Sequence, residues 1–233
     1  MRGKLMISVA IDGPSGAGKS TISRRAAKIF GFIYVDTGAI YRTIGLAAFR
    51  RGYDTKDKNL VLPMLPELNI ELKYNENAEQ RMYLDGEDVS AAIRMPEISM
   101  CASNVSAMQE VRDFLMEMQR SMALKYDVIM DGRDIGTVIL PNAQVKIFLT
   151  ASAEARAERR FKELRAKGID ESLEAVLEDM KKRDYQDTNR AAAPLMAAPD
   201  AVTLDTSELS FEESLKCVCD IITSKTGAKA VMP

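Results

Sequence analysis

Gly13-Pro14-Ser15-Gly16-Ala17-Gly18-Lys19-Ser20 follows the apolar run Leu5 to Ile11 and precedes a helix-forming stretch, Thr21 to Phe30. An apolar run of that length ending in a glycine-rich turn reads as a buried parallel strand. Beyond the turn, Ile22, Ala26 and Ile29 recur at helical spacing, with Arg24, Arg25 and Lys28 between them. Strand, loop and helix in that order form a phosphate cradle. The glycines let successive backbone N–H groups converge on a β-phosphate, Lys19 brings a mobile cation to the β and γ oxygens, and the Ser20 hydroxyl can hold Mg²⁺. The chain is therefore expected to bind a nucleoside triphosphate through Gly13, Pro14, Ser15, Gly16, Ala17, Gly18, Lys19, Ser20 and Thr21.

Working outward, further apolar runs at Ile33–Val35, Val128–Met130, Val145–Leu149 and Ala201–Leu204 alternate with helical patterns. That rhythm predicts an α/β fold, a five-stranded parallel sheet with helices on both faces. Two segments break it. Asn69–Tyr74 and Arg81–Leu84 alternate apolar and polar residues around Asn75-Glu76-Asn77, followed by the turn pair Asp85-Gly86, which predicts a small antiparallel insert. Ser152 to about Arg190 is a highly charged helical stretch interrupted at Gly168, with little apolar face, as expected of a helical lid. The last helix starts at a capping box, Ser210 to Glu213, and is expected to bury Phe211, Leu215, Val218 and Ile222, with a frayed tail past Thr226.

Composition narrows the chemistry. The chain has 233 residues, 46% of them apolar, enough for a full core in one unit. A formal net charge of −2 offers no general field for polymeric nucleic acid. No stretch approaches the ~20 apolar residues of a membrane span, and no signal-peptide core precedes the first strand, so a cytoplasmic location with no membrane partner is expected. Three cysteines, Cys101, Cys217 and Cys219, read as buried free thiols. There is no histidine. The usual general base, the Ser–His nucleophile pair and the commonest metal ligand are thereby excluded together, leaving Arg, Lys, Asp and Mg²⁺. Phosphoryl transfer suits that set, because its transition state asks mainly for alignment and charge stabilisation.

Several further groups carry the two readings that their residues allow. Asp36-Thr37-Gly38-Ala39-Ile40-Tyr41-Arg42 follows the second strand, where Arg42 and Thr37 either bind an acceptor phosphate or leave a helix capped by Asp36 or Thr37 with Arg42 solvated. Asp131-Gly132-Arg133-Asp134 ends the third strand without the Asp-Glu pair of a hydrolytic ATPase; Asp131 and Arg133 either serve transfer or form a structural ion pair. Arg112 falls within a heptad stripe of Ile98, Cys101, Val105, Met108, Leu115 and Met122, so it either snorkels outward or awaits a polar ligand. Arg156, Arg159 and Arg160 share a helix face with Glu154, Glu158 and Glu163 interleaved, either a cationic lid or a salt-bridged surface. Arg183, Asp187 and Arg190 form a mixed-sign row, either intrahelical pairing or a hydroxyl-and-phosphate reader.

Taken together, Ile11–Ser20, Asp36–Arg42, Asp131-Gly132-Arg133-Asp134-Ile135-Gly136-Thr137, and Arg183-Asp184 with Asn189-Arg190-Ala191 resemble the bacterial-type cytidylate kinases, nearly end to end. Thr37 stands where that family also has Ser, and Ser20 where Gly is frequent; both keep or add a hydroxyl. The resemblance implies a P-loop nucleoside monophosphate kinase moving the γ-phosphoryl group of ATP to CMP or dCMP, with Mg²⁺. It implies one unit over 1–233, with a core (about 1–36, 97–150 and 191–233), a monophosphate-binding insert (about 37–96) and a lid (about 152–190). By position it assigns Thr37, Tyr41, Arg42 and Arg133 to the acceptor phosphate, Ser103, Arg112 and Asp134 to cytosine, and Arg183, Asp187 and Arg190 to ribose and phosphates. Lys19, Arg42, Arg133, Arg159 and Arg160 would carry catalysis, in a monomer. Rival readings are a kinase for UMP, AMP or a small hydroxyl acceptor, a GTPase switch, whose Asn-Lys-x-Asp guanine reader is missing, and a noncatalytic ATP-binding switch.

Overall fold

A computed structural model describes residues 6–77, 79–166 and 168–231. The chain runs β1 (Ser8–Asp12), α1 (Lys19–Phe30), β2 (Ile33–Asp36), α2 (Thr37–Arg50) and α3 (Lys58–Met64), then β3 (Ile70–Tyr74), β4 (Gln80–Leu84) and β5 (Glu87–Asp88). It continues through α4 (Pro96–Ser106), α5 (Gln109–Lys125), β6 (Val128–Gly132), β7 (Val145–Thr150), α6 (Ala153–Ala166), α7 (Leu173–Asn189), β8 (Val202–Asp205) and α8 (Phe211–Thr226). The first strand is shorter than the apolar run that announces it, and Leu5 lies outside the described residues.

Five parallel strands pair in the order β2-β6-β1-β7-β8, and β3-β4-β5 form a separate antiparallel sheet. In register, Val9 lies opposite Ile129 on one side and Val145 on the other. Alternation along β1 divides the core. Val9 and Ile11 join Ile129, Ile147, Ala26 and Val218, whereas Ala10 joins Val35, Met130 and Ile139. Both faces are covered, which is why these strands read as unbroken apolar runs. The chain leaves β1 toward β2 on one side and β7 toward β8 on the other, so the connections diverge at the carboxyl end of β1, where a crevice opens.

Five expectations need correction. The heptad stripe from Ile98 to Met122 is not one helix: the chain breaks at Ala107-Met108 between α4 and α5, because Ala107 ends the first helix and Met108 is extended. The stretch after Ser152 does bury apolar surface, since Ala157, Leu164, Val176 and Met180 form a core between α6 and α7. Phe211 is exposed, because at the first position of α8 it precedes the buried face of Val218 and Ile222. Beyond Thr226 the chain folds back, with Val231 N donating to Ile29 O at 2.8 Å; Met232 and Pro233 lie outside the described residues. The cysteines are free but only half-buried.

The capping box is formed, with Ser210 Oγ accepting from Glu213 N and the Glu213 carboxylate from Ser210 N. α2 crosses α4 at Gly45, where a Cβ would sit 2.9 Å from the Ala102 nitrogen and 3.1 Å from Cys101. Gly is a poor helix former by ~1 kcal/mol against Ala, yet here the missing methyl admits a backbone. Gly45→Ala is therefore expected to destabilise by about 1–3 kcal/mol through overpacking, opposite to its helix propensity, as read from urea unfolding midpoints.

Candidate active site

The loop Gly13–Ser20 joins β1 to α1, and α1 starts with neither a side-chain cap nor an acidic residue in its first turn. Its orphan N–H groups and positive dipole end are left for an anion. Lys19 is buried and its Nζ donates to Pro14 O at 2.7 Å, folding back over the loop; burial and then Arg133 push its pKa well down. Ser20 Oγ donates to Asp131 Oδ2 at 2.8 Å, and the Tyr34 hydroxyl donates to Asp131 Oδ1 at 2.9 Å. Burial, with Asp36 nearby, raises Asp131 to about 6. Asp12 accepts from Ile135 N at 2.8 Å and Gly136 N at 2.7 Å, tying the end of β1 to the π-helical turn after Asp134. Burial raises it, too, to about 6.

Opposite the loop stand Arg42, Arg133 and Arg183. Burial lowers the Arg42 guanidinium to about 10, and burial followed by Arg133 lowers Arg183 to about 10. Arg183 Nε is buried with no hydrogen-bond partner. Arg133 Nε donates to Asp187 Oδ2 at 2.8 Å; against burial, Arg133 and Arg183 hold Asp187 below its usual range. Asp131 makes no ion pair with Arg133 among the described residues, so the structural-pair reading of Asp131-Gly132-Arg133 fails. Asp36 caps α2 by accepting from Ala39 N, as one reading held, but Arg42 is half-buried rather than solvated and donates to Ile93 O at 3.2 Å. The Thr37 hydroxyl donates to Asp131 O at 2.7 Å.

Arg112 does not snorkel. It is 1% exposed, pairs with the Asp134 carboxylate, donates to Ser106 O at 3.2 Å, and lies 5.5 Å over the Tyr41 ring. Its Nε has no hydrogen-bond partner. Arg190 stands on the other side of Asp134, 3.7 Å away, and donates to Ser106 Oγ. Ser103 Oγ lies 3.5 Å from Asp187 Oδ1.

A cavity of about 850 Å³ brings Ser15 to Thr21 together with Arg42, Arg133, Arg159, Arg160 and Arg183. A second, of about 380 Å³, is lined by Ser103, Asp187 and Arg190. Arg160 is near enough to Arg42 to lower its pKa, although its guanidinium also meets Glu163. Arg159 lines the same cavity with its guanidinium held by the carbonyl and hydroxyl of Thr206. Arg94, which lines the cavity and pairs with Asp36 at 2.7 Å, was missed, because no local signal separates it from surface cations. Asp131 and Arg156 stood in the sequence with two readings each: Asp131 partners Ser20 and Tyr34, and Arg156 is buried rather than part of a solvated face. Among the described residues no group of His, Cys, Asp or Glu could hold a metal by itself.

A phosphate-binding loop facing a cluster of arginines across one cavity, on a five-stranded parallel sheet, defines a P-loop kinase. The cytidylate kinase family model matches residues 9–225, and curated relatives agree. A cytidylate kinase from Caldicellulosiruptor bescii is 49% identical, over 92% of this chain and 95% of the relative. Those from Lactobacillus gasseri and Flavobacterium johnsoniae are 47% and 44% identical, over 94% and 93% of this chain and 95% and 96% of theirs. The chain belongs to the cytidylate kinase family.

The crowding of cations makes one outcome measurable without any turnover. Arg183→Gln removes a half-buried, repelled charge, so the unliganded variant is expected to melt roughly 2–4 °C higher, and sulfate is expected to raise the Tm of the parent more than that of the variant. Thermal melts with and without sulfate check both.

Proposed function

We propose that this chain transfers the γ-phosphoryl group of ATP to CMP and dCMP, giving CDP and dCDP. The observation that carries the reading is the shared cavity: a donor loop with an uncapped helix start on one wall and Arg42, Arg133 and Arg183 on the other. Family membership and relatives named cytidylate kinase support the same acceptor. ADP release that depends on the acceptor, across a panel of nucleoside monophosphates, tests it; release independent of acceptor would mean an ATPase.

In this reading the loop amides and Lys19 hold the ATP phosphates, Lys19 exchanging Pro14 O for a phosphate oxygen. Arg42 and Arg133 align the acceptor phosphate, and Arg183 and Arg160 offset the charge that spreads over the transferring group. The acceptor phosphate is itself an ionised oxygen nucleophile, so the chain needs no general base. Mg²⁺ fits the donor set. Ser20 Oγ and the Asp131 carboxylate are hard oxygen ligands side by side, 2.8 Å apart at the end of the phosphate loop. They would hold the ion, which neutralises charge on the β and γ oxygens. α6 and α7 act as a lid that excludes water, over the core and the insert at about 37–96, in a cytoplasmic monomer. No described helix is long and apolar enough to cross a membrane.

Asp134 accepts from the cytosine 4-amino group and the free Arg112 Nε donates to the ring acceptors, whereas the 4-oxo group of uracil would face a carboxylate. Asp134→Asn, whose amide can donate, is expected to narrow the kcat/KM preference for CMP over UMP, by about tenfold or more if the mispairing resembles other buried polar mismatches. Lys19→Ala is expected to lower kcat by about 10²–10³, as loss of one preorganised transition-state donor does elsewhere; steady-state kinetics with CMP measures both.

A further inference from the structure

Arg156, in the first turn of α6, is buried and uses all three guanidinium nitrogens. Nε donates to Ala151 O at 2.9 Å, Nη1 to Ser15 O at 3.0 Å, and Nη2 to Asp184 Oδ2 on α7 at 2.7 Å. The second bond reaches the apex of the phosphate loop. Ser15 C=O and Gly16 N–H belong to one peptide unit, and the described peptides are all trans. In a planar trans peptide these two groups point in opposite directions. Drawing Ser15 O toward Arg156 therefore turns Gly16 N–H the other way, away from that guanidinium.

The apex is also pinned by α7. A Cβ on Gly16 would sit 2.4 Å from Met180 Cε and 3.2 Å from Arg156 Cβ, and the Gly16 backbone is left-handed at φ 75°. Met180 and Asp184 are one helical turn apart on α7, so one face of that helix touches both the loop and the arginine that orients it. Lys cannot replace this fork, because a single ammonium does not span three acceptors in a plane.

We infer that Arg156 is a positioning residue for the donor site: it sets the Ser15–Gly16 peptide with its amide toward the β-phosphate, and Asp184 holds Arg156 in that pose. The inference rests on reading the loop as the ATP site. Its consequence is selective. A ligand carrying a β-phosphate feels the loss, and the acceptor does not.

The test uses the full chain with R156K and D184N, with calorimetric titration of ADP and, separately, CMP, and melting curves to establish folding. R156K is expected to bind ADP about tenfold more weakly, the loss of one charge-assisted hydrogen bond, with CMP affinity within twofold. D184N is expected to shift ADP in the same direction by less, and the double variant to be no weaker than R156K. Unchanged ADP affinity in R156K, or equal losses for ADP and CMP, overturns the role; if R156K does not fold, unchanged ADP affinity in D184N does so. Absence of ADP binding by the parent chain would overturn the reading of the loop itself, and the role of Arg156 with it.

Discussion

The shortage of negative charge around a group of cations withdrawn from water governs how the rest of this molecule is arranged. Lys19, Arg42 and Arg183 all have their charged forms disfavoured, first of all by burial. Such a cluster stands only because the surrounding sheet and helices are stable enough to hold it, and because a few carboxylates are posted among the guanidiniums. Asp187 answers Arg133, Asp134 answers Arg112, and Asp36 answers Arg94. What those carboxylates leave unanswered is what two phosphorylated ligands would supply.

Asp187 has a second consequence. It joins Arg133 of the first cavity while its other oxygen lies near Ser103, its neighbour in the lining of the second, so its charge links the two linings. An entering nucleotide would exchange partners rather than fill a void, and the net affinity is a difference between two sets of charge-assisted bonds.

The sheet was legible because burial on both faces writes each strand as an apolar run, and because turn chemistry at Asn75-Glu76-Asn77 and Asp85-Gly86 bounds the small sheet. The phosphate loop was legible because its function lies in the backbone, which glycine spacing reports directly. Long side chains were harder. Arg159 and Arg160 are adjacent and chemically identical, yet Thr206 captures one while the other approaches Arg42, a choice made by a loop some 47 residues away in sequence. The break between α4 and α5 was hidden for a related reason: an apolar period of three and four continues across Met108 although the backbone does not.

The apolar core between α6 and α7 bears on how this chain comes apart. Ala157, Leu164, Val176 and Met180 pack with one another in a cluster separate from those flanking the sheet. A helical hairpin with its own core can open as a cooperative unit at lower free energy than the sheet. Amide protons of α6 and α7 should then exchange with solvent together and ahead of those of β1 and β6. Loss of signal from this hairpin would precede global denaturation, and a single two-state transition would understate the stability of the sheet.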